Sequence, residues 1–254
     1  MAEIKDPIAF ELFKNTIFSI ADEMALTICR TTYSGVLRDN MDFSTAFADA
    51  DGKLVAQGLT LPGHLGSIPD ALDVVVDRFE AEMKPGDMYI MNDPFDGGMH
   101  LPDIFIFKPI FVEDRRLAFA ATICHHADVG GRVPGSNASD STEIYQEGLR
   151  IPVVKLFRRG EVQQDLFDLM LLNVRLPEER QGDYYAQIAA CRLGDRRLAE
   201  LIGKYSVAEM TVAFEEILTR TERRMRDGVR TISDGLYEFE DVMDDDGLGA
   251  VDIP

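Results

Sequence analysis

The chain has 254 residues, 46% of them hydrophobic, so it can bury a core as one large domain or two small ones. Its formal net charge is −19 and its pI about 4.5, which excludes the basic surface that nucleic-acid-binding proteins present to phosphates. No apolar run approaches the roughly 20 residues of a transmembrane helix, and the N-terminus lacks the pattern of a secretory signal. We therefore expect a cytoplasmic protein with no nucleic-acid or membrane partner.

The first part of the chain predicts helices and antiparallel strands. Asp6 followed by Pro7 begins a helix, and an apolar stripe with spacings of three to five residues continues to about Thr31. The segment STAFADADGKLVAQ alternates on both sides of the turn DADG, which predicts a hairpin with strands at 44–48 and 54–57. A second helix follows in GHLGSIPDALDVVVDRFEAE, and the apolar run MYIM predicts a buried strand.

Further along the chain, strands give way to helices. IFIFKPIFV and LAFAATIC, separated by EDRR, predict a second antiparallel pair, and IPVVKLF predicts another strand. DLFDLMLLNV begins the helical part, and a long helix runs from Pro177 to about Tyr205. Ser206 and Glu209 form a capping box for a last helix that ends near Gly228, after which LYEFEDVM predicts a further strand.

Together these elements predict an α+β fold, in which antiparallel strands carry the functional loops and long helices flank them. We expect residues 1–160 to be mixed α/β, residues 161–232 to be helical, and residues 233–254 to begin a further strand region. The chain stops at Pro254, soon after the acidic turn DDDG, without an element that closes this last region. We therefore expect a truncated protein.

Three of the four histidines lie in two loops at predicted strand ends, NDPFDGGMHLPD and CHHADVGG. His100 and Asp103 are three residues apart across Pro102, which bends the chain so that both side chains can point to one place. With His125 they offer two imidazoles and one carboxylate, a set suited to Mn, Fe, Co or Zn at an open site. The alternative is that they are ordinary turn and hydrogen-bonding residues, because His-x-x-Asp alone is a weak pattern.

The same two loops and the segment after them contain candidates for proton transfer. His126 and Asp128 are close in sequence to the predicted ligands and could orient or deprotonate a bound water, and Glu147 and Glu143 are further candidates for general acid–base catalysis. His64, the remaining histidine, is predicted to have a structural role at the start of the next helix.

Other catalytic and binding motifs are absent from the sequence. It contains no GxxxxGK[ST] loop, no GxGxxG after a strand and no GxSxG elbow, so we expect no nucleotide site or serine nucleophile in this chain. Cys29, Cys124 and Cys191 form no CxxC pair, which predicts buried thiols and neither a disulfide framework nor a thiolate zinc site.

Long motifs in a fixed order resemble the hydantoinase B/oxoprolinase family. In chain order they are DFSTAFADADGKLVAQ, NDPFDGGMHLPD, HHADVGG, STEIYQEGLRIP and NVRLPEERQGDYYAQIAAC. The resemblance runs from about Asp6 to the last residue. Members of this family, which include N-methylhydantoinase B subunits, continue well beyond the DDDG turn, so the resemblance implies that this chain is an N-terminal portion.

The resemblance implies a B-type subunit of enzymes that open cyclic amides or imides, such as hydantoins and 5-oxoproline, at the expense of ATP. A separate hydantoinase A-type partner would bind ATP and phosphorylate the small-molecule substrate within a hetero-oligomer. In the related acetone carboxylases, this subunit holds manganese through a His-x-x-Asp pair and a later histidine, which correspond here to His100, Asp103 and His125. Met99 departs from the pattern, because many relatives have Thr there.

Two alternative functions stay open at the level of sequence. One is a subunit of an ATP-dependent carboxylase of the acetone or acetophenone type, in which the metal would hold an enolate-like substrate. The other is a non-catalytic scaffold that binds the partner subunit and whose metal is structural or absent. The sequence does not decide between Mn, Zn and Fe as the native metal, nor does it name the substrate.

Overall fold

The fold is a seven-stranded antiparallel sheet with helices on both faces. It was obtained as a computed structural model, which describes residues 6–243 and 251–253. The helices in these residues are α1 (Pro7–Thr31), α2 (Gly35–Arg38), α3 (Ile68–Phe79), α4 (Gln164–Leu172), α5 (Pro177–Ile202) and α6 (Val207–Val229). The strands are β1 (Phe43–Asp49), β2 (Leu54–Gln57), β3 (Met88–Met91), β4 (Asp103–Val112), β5 (Arg115–His125), β6 (Val154–Arg158), β7 (Glu161–Val162), β8 (Asp241–Met243) and β9 (Val251–Ile253).

The strand order of the large sheet is β2-β1-β5-β4-β3-β6-β7, and each neighbouring pair is antiparallel. The two longest strands, β4 and β5, form the central hairpin, whose register pairs Asp103 with His125 at one end and Val112 with Arg115 at the other. Strand β8 pairs with β9 in a separate two-stranded sheet. The central hairpin therefore ends at the two loops that contain the predicted metal ligands.

The two faces of the large sheet pack against different helices. On one face, the aromatic side chains of Phe105, Phe107 and Phe119 pack with those of α3, including Leu72 and Val75. A fully buried side chain of this kind contributes about 1.5–3 kcal/mol to stability. On the other face, α5 packs against β4, β5 and α1. Because side chains alternate along a strand, successive residues of β4 and β5 belong to different layers.

Local signals in the sequence explain where the helices begin and how closely they pack. The carboxylate of Asp6 accepts hydrogen bonds from the backbone N–H groups of Ile8 and Ala9, which caps α1 as predicted. Gly194 on α5 permits a close approach to α1 and β5, because a Cβ at this position would lie 2.7 Å from the sulfur of Met24. The helix α5 therefore packs directly against its neighbours.

The predicted α+β class is confirmed, and the long elements lie where the sequence places them. The capping box of α6 is also present, with Ser206 N donating to Glu209 at 2.8 Å and Glu209 N donating to Ser206 Oγ at 3.2 Å. The strand expected at 236–243 begins only at Asp241, because the residues before it pair with no described strand. The DDDG turn lies outside the described residues, and β7 was not predicted.

The chain forms two compact units that divide after Ile217. The first contains the large sheet, α1 to α5 and the first part of α6; the second contains the rest of α6 and the β8–β9 pair. The three-part division expected from the sequence stays a prediction. Within the part of the chain that the structure describes, no helix is both long enough and apolar enough to cross a membrane.

Candidate metal centre

The three predicted metal ligands converge at one end of the central hairpin. Asp103 begins β4 and His125 ends β5, and the register places the two residues opposite each other. Their side chains are in contact, with 2.8 Å between His125 Nδ1 and Asp103 Oδ1. A hydrogen bond of 2.8 Å from Asp103 N to His100 O closes the turn before β4. This turn brings His100 next to His125, with 5.6 Å between the centroids of the two rings. One donor atom from each residue lies within 4.8 Å of the other two.

The loop that contains His100 is held by a buried asparagine. The side-chain nitrogen of Asn92 donates to the carbonyls of Leu101 and Leu149, at 2.7 and 2.8 Å, and its oxygen accepts from Ile151 N at 2.6 Å. At Gly98 a Cβ would lie 2.5 Å from a backbone oxygen of the same loop, so the turn requires glycine there. The backbone around His100 is therefore held by the hydrogen bonds of the Asn92 side chain and by the close packing at Gly98.

The electrostatic environment of the three residues fits a cation. Asp103 is buried, and its only described ion-pair partners are histidines, His125 at 2.8 Å and His64 at 4.0 Å. The hydrogen bond to Asp103 raises the pKa of His125, against the opposing effect of burial. A metal ion would stabilise a buried carboxylate that has no Lys or Arg partner among the described residues, and the set of two nitrogens and one oxygen suits Mn, Fe or Zn. His100 and His125 are partly exposed, which leaves one side open.

Two further residues lie beside this cluster, and the sequence analysis indicated neither. His64 lies in a 3₁₀ turn at Pro62–Ser67, directly before α3, so its predicted place at a helix start is correct. Its ring, however, approaches a predicted ligand, with Nε2 3.6 Å from Asp42 Oδ1 and 4.0 Å from Asp103 Oδ1. Asp42 lies close to His64 because β1 pairs with β5, where His125 N donates to Asp42 O at 3.0 Å. No local pattern in the sequence predicts that pairing.

His126, predicted as a catalytic residue, lies on the opposite face of the sheet. It is fully buried against α5, its Nε2 lies 2.9 Å from Gln187 Oε1, and its ring stacks on Tyr184 with 4.5 Å between centroids. Burial lowers the pKa of His126 to about 4, although the hydrogen bond to Gln187 acts in the other direction. The ring is therefore neutral at pH 7 and points away from the three donors, and its catalytic role stays a prediction that this geometry does not favour.

Asp128, the second predicted catalytic residue, organises its own loop. Its carboxylate accepts from the backbone N–H groups of Gly130, Gly135 and Arg175, and from the Arg175 guanidinium at 2.9 Å. Burial raises the pKa of Asp128, but these hydrogen bonds outweigh it, so that the pKa lies below its ordinary value. A carboxylate with this many donors is poorly placed to accept a proton.

Glu147 and Glu143, the remaining candidates, border a short 3₁₀ turn at Ile144–Gln146. Glu143 precedes this turn and Glu147 closes it, with Glu147 N donating to Ile144 O at 3.0 Å. In the described part of the chain, no hydrogen bond or ion pair joins either side chain to the metal-site residues. The catalytic roles of these residues stay predictions.

Comparisons with known proteins identify the family of the chain. A family model described as Hydantoinase B/oxoprolinase matches residues 6–254. The beta subunit of the caprolactamase of Pseudomonas jessenii is 35% identical over 244 residues, which are 96% of this chain and 42% of that protein. The B-type subunit of a putative D-/L-hydantoinase from Pseudomonas sp. (strain NS671) is 32% identical over 248 residues, which are 94% of this chain and 41% of that protein. The chain thus spans about two fifths of the length of these relatives.

Solved structures share the fold. The crystal structure of the ATP-dependent caprolactamase from Pseudomonas jessenii superimposes with a TM-score of 0.87 at 35% sequence identity, covering 92% of this chain and 40% of that one. The nucleotide-free structure of acetone carboxylase gives a TM-score of 0.79 at 20% identity and covers 83% of this chain and 28% of that one. At this lower identity the likeness shows a common fold alone.

Proposed function

Because the chain belongs to the hydantoinase B/oxoprolinase family, we propose that it is the metal-binding part of a B-type subunit in an ATP-dependent hydrolase of cyclic amides or imides. The convergence of His100, Asp103 and His125 within 4.8 Å is the observation that carries this proposal. The names of the relatives support the reaction class, because one belongs to a caprolactamase and another to a putative hydantoinase. ATP would be bound by a separate hydantoinase A-type partner, which would phosphorylate the substrate oxygen in a hetero-oligomer.

The metal ion would be Mn, Zn or Fe, held by His100, Asp103 and His125. When bound, it would polarise the activated carbonyl and lower the pKa of an attacking water. The protein part of the site has two distinct sides. Asp103 forms its buried floor, whereas the two histidines are partly exposed, so a substrate can approach from the solvent side.

The loop that contains His100 also presents exposed apolar side chains, which would suit a small uncharged ring. Phe95 and Met99 belong to the same loop as His100, and both are exposed, with 73% and 41% of their surface accessible. The guanidinium of Arg150 lies over the Phe95 ring at 5.0 Å and pairs with Asp93 at 2.8 Å, which orients the aromatic side chain. Apolar contacts of this kind would bind the hydrocarbon part of a lactam or hydantoin, while a few polar groups orient its amide.

The proposal is tested by reconstitution with an A-type partner. The chain, loaded with Mn, Zn or Fe, should open a hydantoin, 5-oxoproline or caprolactam with ATP consumption and without bicarbonate. His100→Ala should lower product formation more than about 100-fold, because the site loses a ligand. Glu147→Gln, which keeps all three donors, tests whether that carboxylate is catalytic.

Two results would change the proposal. ATP turnover that requires both a ketone and bicarbonate would favour the carboxylase alternative. A metal-free wild-type chain that still binds the A-type partner would favour the scaffold.

A further inference from the structure

We propose that Arg150 binds an oxyanion of the small-molecule ligand beside the metal centre, through the two terminal nitrogens of its guanidinium. The oxyanion is a carboxylate or a phosphate group of that ligand. This inference rests on the proposed function, because it takes the ligand to be a small molecule that reaches the three predicted metal ligands. It follows from the fixed orientation of the guanidinium, from its unused donors and from its place next to the loop that contains His100.

Two contacts fix the orientation of the Arg150 guanidinium. Its Nε lies 2.8 Å from Oδ1 of Asp93, a buried carboxylate oxygen that also accepts a hydrogen bond from Phe95 N at 3.0 Å. Its face lies over the Phe95 ring, with 5.0 Å between Cζ and the ring centroid. The carboxylate holds one edge and the ring holds one face, so little conformational entropy is lost when a ligand binds.

The terminal nitrogens of Arg150 are available to a ligand. Within the described part of the chain, no hydrogen bond begins at its Nη1 or Nη2, and 36% of the side chain is accessible. Arg175 shows the opposite arrangement, because its terminal nitrogens donate to Asp128 and to three backbone carbonyls of residues 130–133. The paired N–H groups of a guanidinium match two oxygens of a carboxylate or a phosphate. Arg175 therefore holds a loop, whereas Arg150 can bind an oxyanion.

The backbone at Arg150 lies next to the loop that contains His100. The side-chain nitrogen of Asn92 donates to the carbonyls of both Leu101 and Leu149, at 2.7 and 2.8 Å, so these two carbonyls are held side by side. His100 directly precedes the first of these residues in the chain, and Arg150 directly follows the second. The two loops are therefore joined at the point where both side chains begin.

The ion-pair partner of Arg150 lies at the same end of the sheet as the metal centre. Met91 of β3 pairs with Phe105 of β4. Asp93 is two residues from this pair on one strand and Asp103 is two residues from it on the other, both toward the end that contains the predicted metal ligands. The guanidinium is therefore anchored where one small molecule can contact it and the metal centre together.

The test is the affinity of the metal-loaded chain for three small molecules, measured by isothermal titration calorimetry. Inorganic phosphate represents a phosphate group, 5-oxoproline represents a ring with a carboxylate, and 2-pyrrolidone is the same lactam ring without the carboxylate. We expect Arg150→Ala to weaken binding of phosphate, of 5-oxoproline or of both by more than about 10-fold, because the paired donors are lost. Binding of 2-pyrrolidone should stay close to that of the wild type. The anion that loses affinity identifies the source of the oxyanion.

Two further variants separate the guanidinium from its charge. Arg150→Lys keeps the positive charge but loses the paired donors, so it should recover only part of the lost affinity. Arg115→Ala removes an exposed cation at the other end of the central hairpin and should leave all three affinities close to those of the wild type. Chelator competition measures the metal affinity of each variant, which should be unchanged. If Arg150→Ala fails to fold or loses metal affinity, Arg150→Lys compared with Arg115→Ala decides the question.

The outcomes distinguish this inference from the proposed function. A folded wild-type chain that binds none of Mn, Zn and Fe contradicts the proposed function, and the same titrations on the metal-free chain then test Arg150 alone. A wild-type chain that binds metal but neither anion overturns the role of Arg150 and leaves the proposed function standing. Affinities for phosphate and 5-oxoproline that are unchanged in Arg150→Ala, or an equal loss for 5-oxoproline and 2-pyrrolidone with phosphate unchanged, overturn it in the same way.

Discussion

At the end of the β4–β5 hairpin, the two faces of the sheet have different polar environments, although the consecutive residues His125 and His126 contribute to them. On the α3 face, His125 and Asp103 direct nitrogen and oxygen donors toward one point together with His100. On the α5 face, His126 instead gives its Nε2–H to Gln187, whose amide nitrogen donates to the carbonyl of Ile104 at 2.9 Å. One face therefore has a carboxylate and imidazoles around an open site, and the other has a polar network that holds a helix.

This contrast shows that burial of polar groups does not by itself mark a binding site. Asp183 on α5 is more deeply buried than Asp103, yet it accepts hydrogen bonds from Thr32 Oγ1, Tyr33 N and Ser34 N, and it lies 3.2 Å from the Arg180 guanidinium. Burial raises the pKa of Asp183, but the hydrogen bonds from Thr32, Ser34 and Tyr33 help to hold that pKa below its ordinary value. Three protein donors thus satisfy Asp183 Oδ1 and the Arg180 guanidinium lies beside Oδ2, whereas the described ion-pair partners of Asp103 are both histidines.

The largest effect is expected when the two neighbouring histidines are substituted one at a time. His125→Ala should reduce metal affinity more than about 100-fold, because it removes a ligand. His126→Gln should leave the affinity within a few-fold of wild type, because that ring faces α5. Chelator competition on both variants measures the difference, and equal losses would show that the two faces are coupled through the strand.

The next largest effect is expected on stability, on the α5 face. Asp183→Ala should lower the free energy of unfolding by about 3–5 kcal/mol, because it leaves three donors without their acceptor and removes one of the two carboxylates beside the buried Arg180 guanidinium, which also pairs with Glu179. Urea denaturation followed by circular dichroism measures this change. Glu215→Ala, at an exposed position of α6, is the control and should have little effect. A similarly small effect for Asp183→Ala would mean that water replaces the carboxylate.

Two glycines, one on each face, sharpen the comparison further. Gly194→Ala should cost about 1–3 kcal/mol of stability by overpacking against Met24, and it should leave metal affinity unchanged. Gly98→Ala should instead weaken metal binding about 10-fold, because the loop must shift and His100 must move with it. Calorimetric titration measures the metal affinity of both variants, and urea denaturation measures their free energy of unfolding. A loss of affinity in Gly194→Ala would show that the two faces are coupled.

The smallest effect concerns pH and the Asp128 loop. Because the folded-state pKa of Asp128 is lowered, its charged form stabilises the fold above the unfolded-state pKa, and this contribution is lost as pH falls through the folded-state value. The free energy of unfolding should therefore decrease below about pH 4, and less steeply in Asp128→Asn. Urea denaturation between pH 7 and pH 3 measures both slopes. Parallel slopes would mean that Asp128 keeps its partners when protonated.

Much of the fold, and the grouping of the three predicted ligands, follow from local signals in the sequence. The cap at Asp6, the capping box at Ser206 and the apolar strands around EDRR each depend on residues that are close in the chain, so the helices and central strands were predictable. The pairing of His100 with Asp103 is also local, because a single turn places them. Their convergence with His125 followed from the expected β4–β5 hairpin.

Only the tertiary structure decided which further side chains reach the site. Asp42 is there because β1 pairs with β5, and His64 because the turn before α3 packs beside that pair. His126 is turned away, since strand residues alternate in direction and α5 supplies Gln187 on its side. Strand order, register and helix packing arise from hydrogen bonds and contacts between residues far apart in the chain. The local sequence around each of these residues therefore does not specify them.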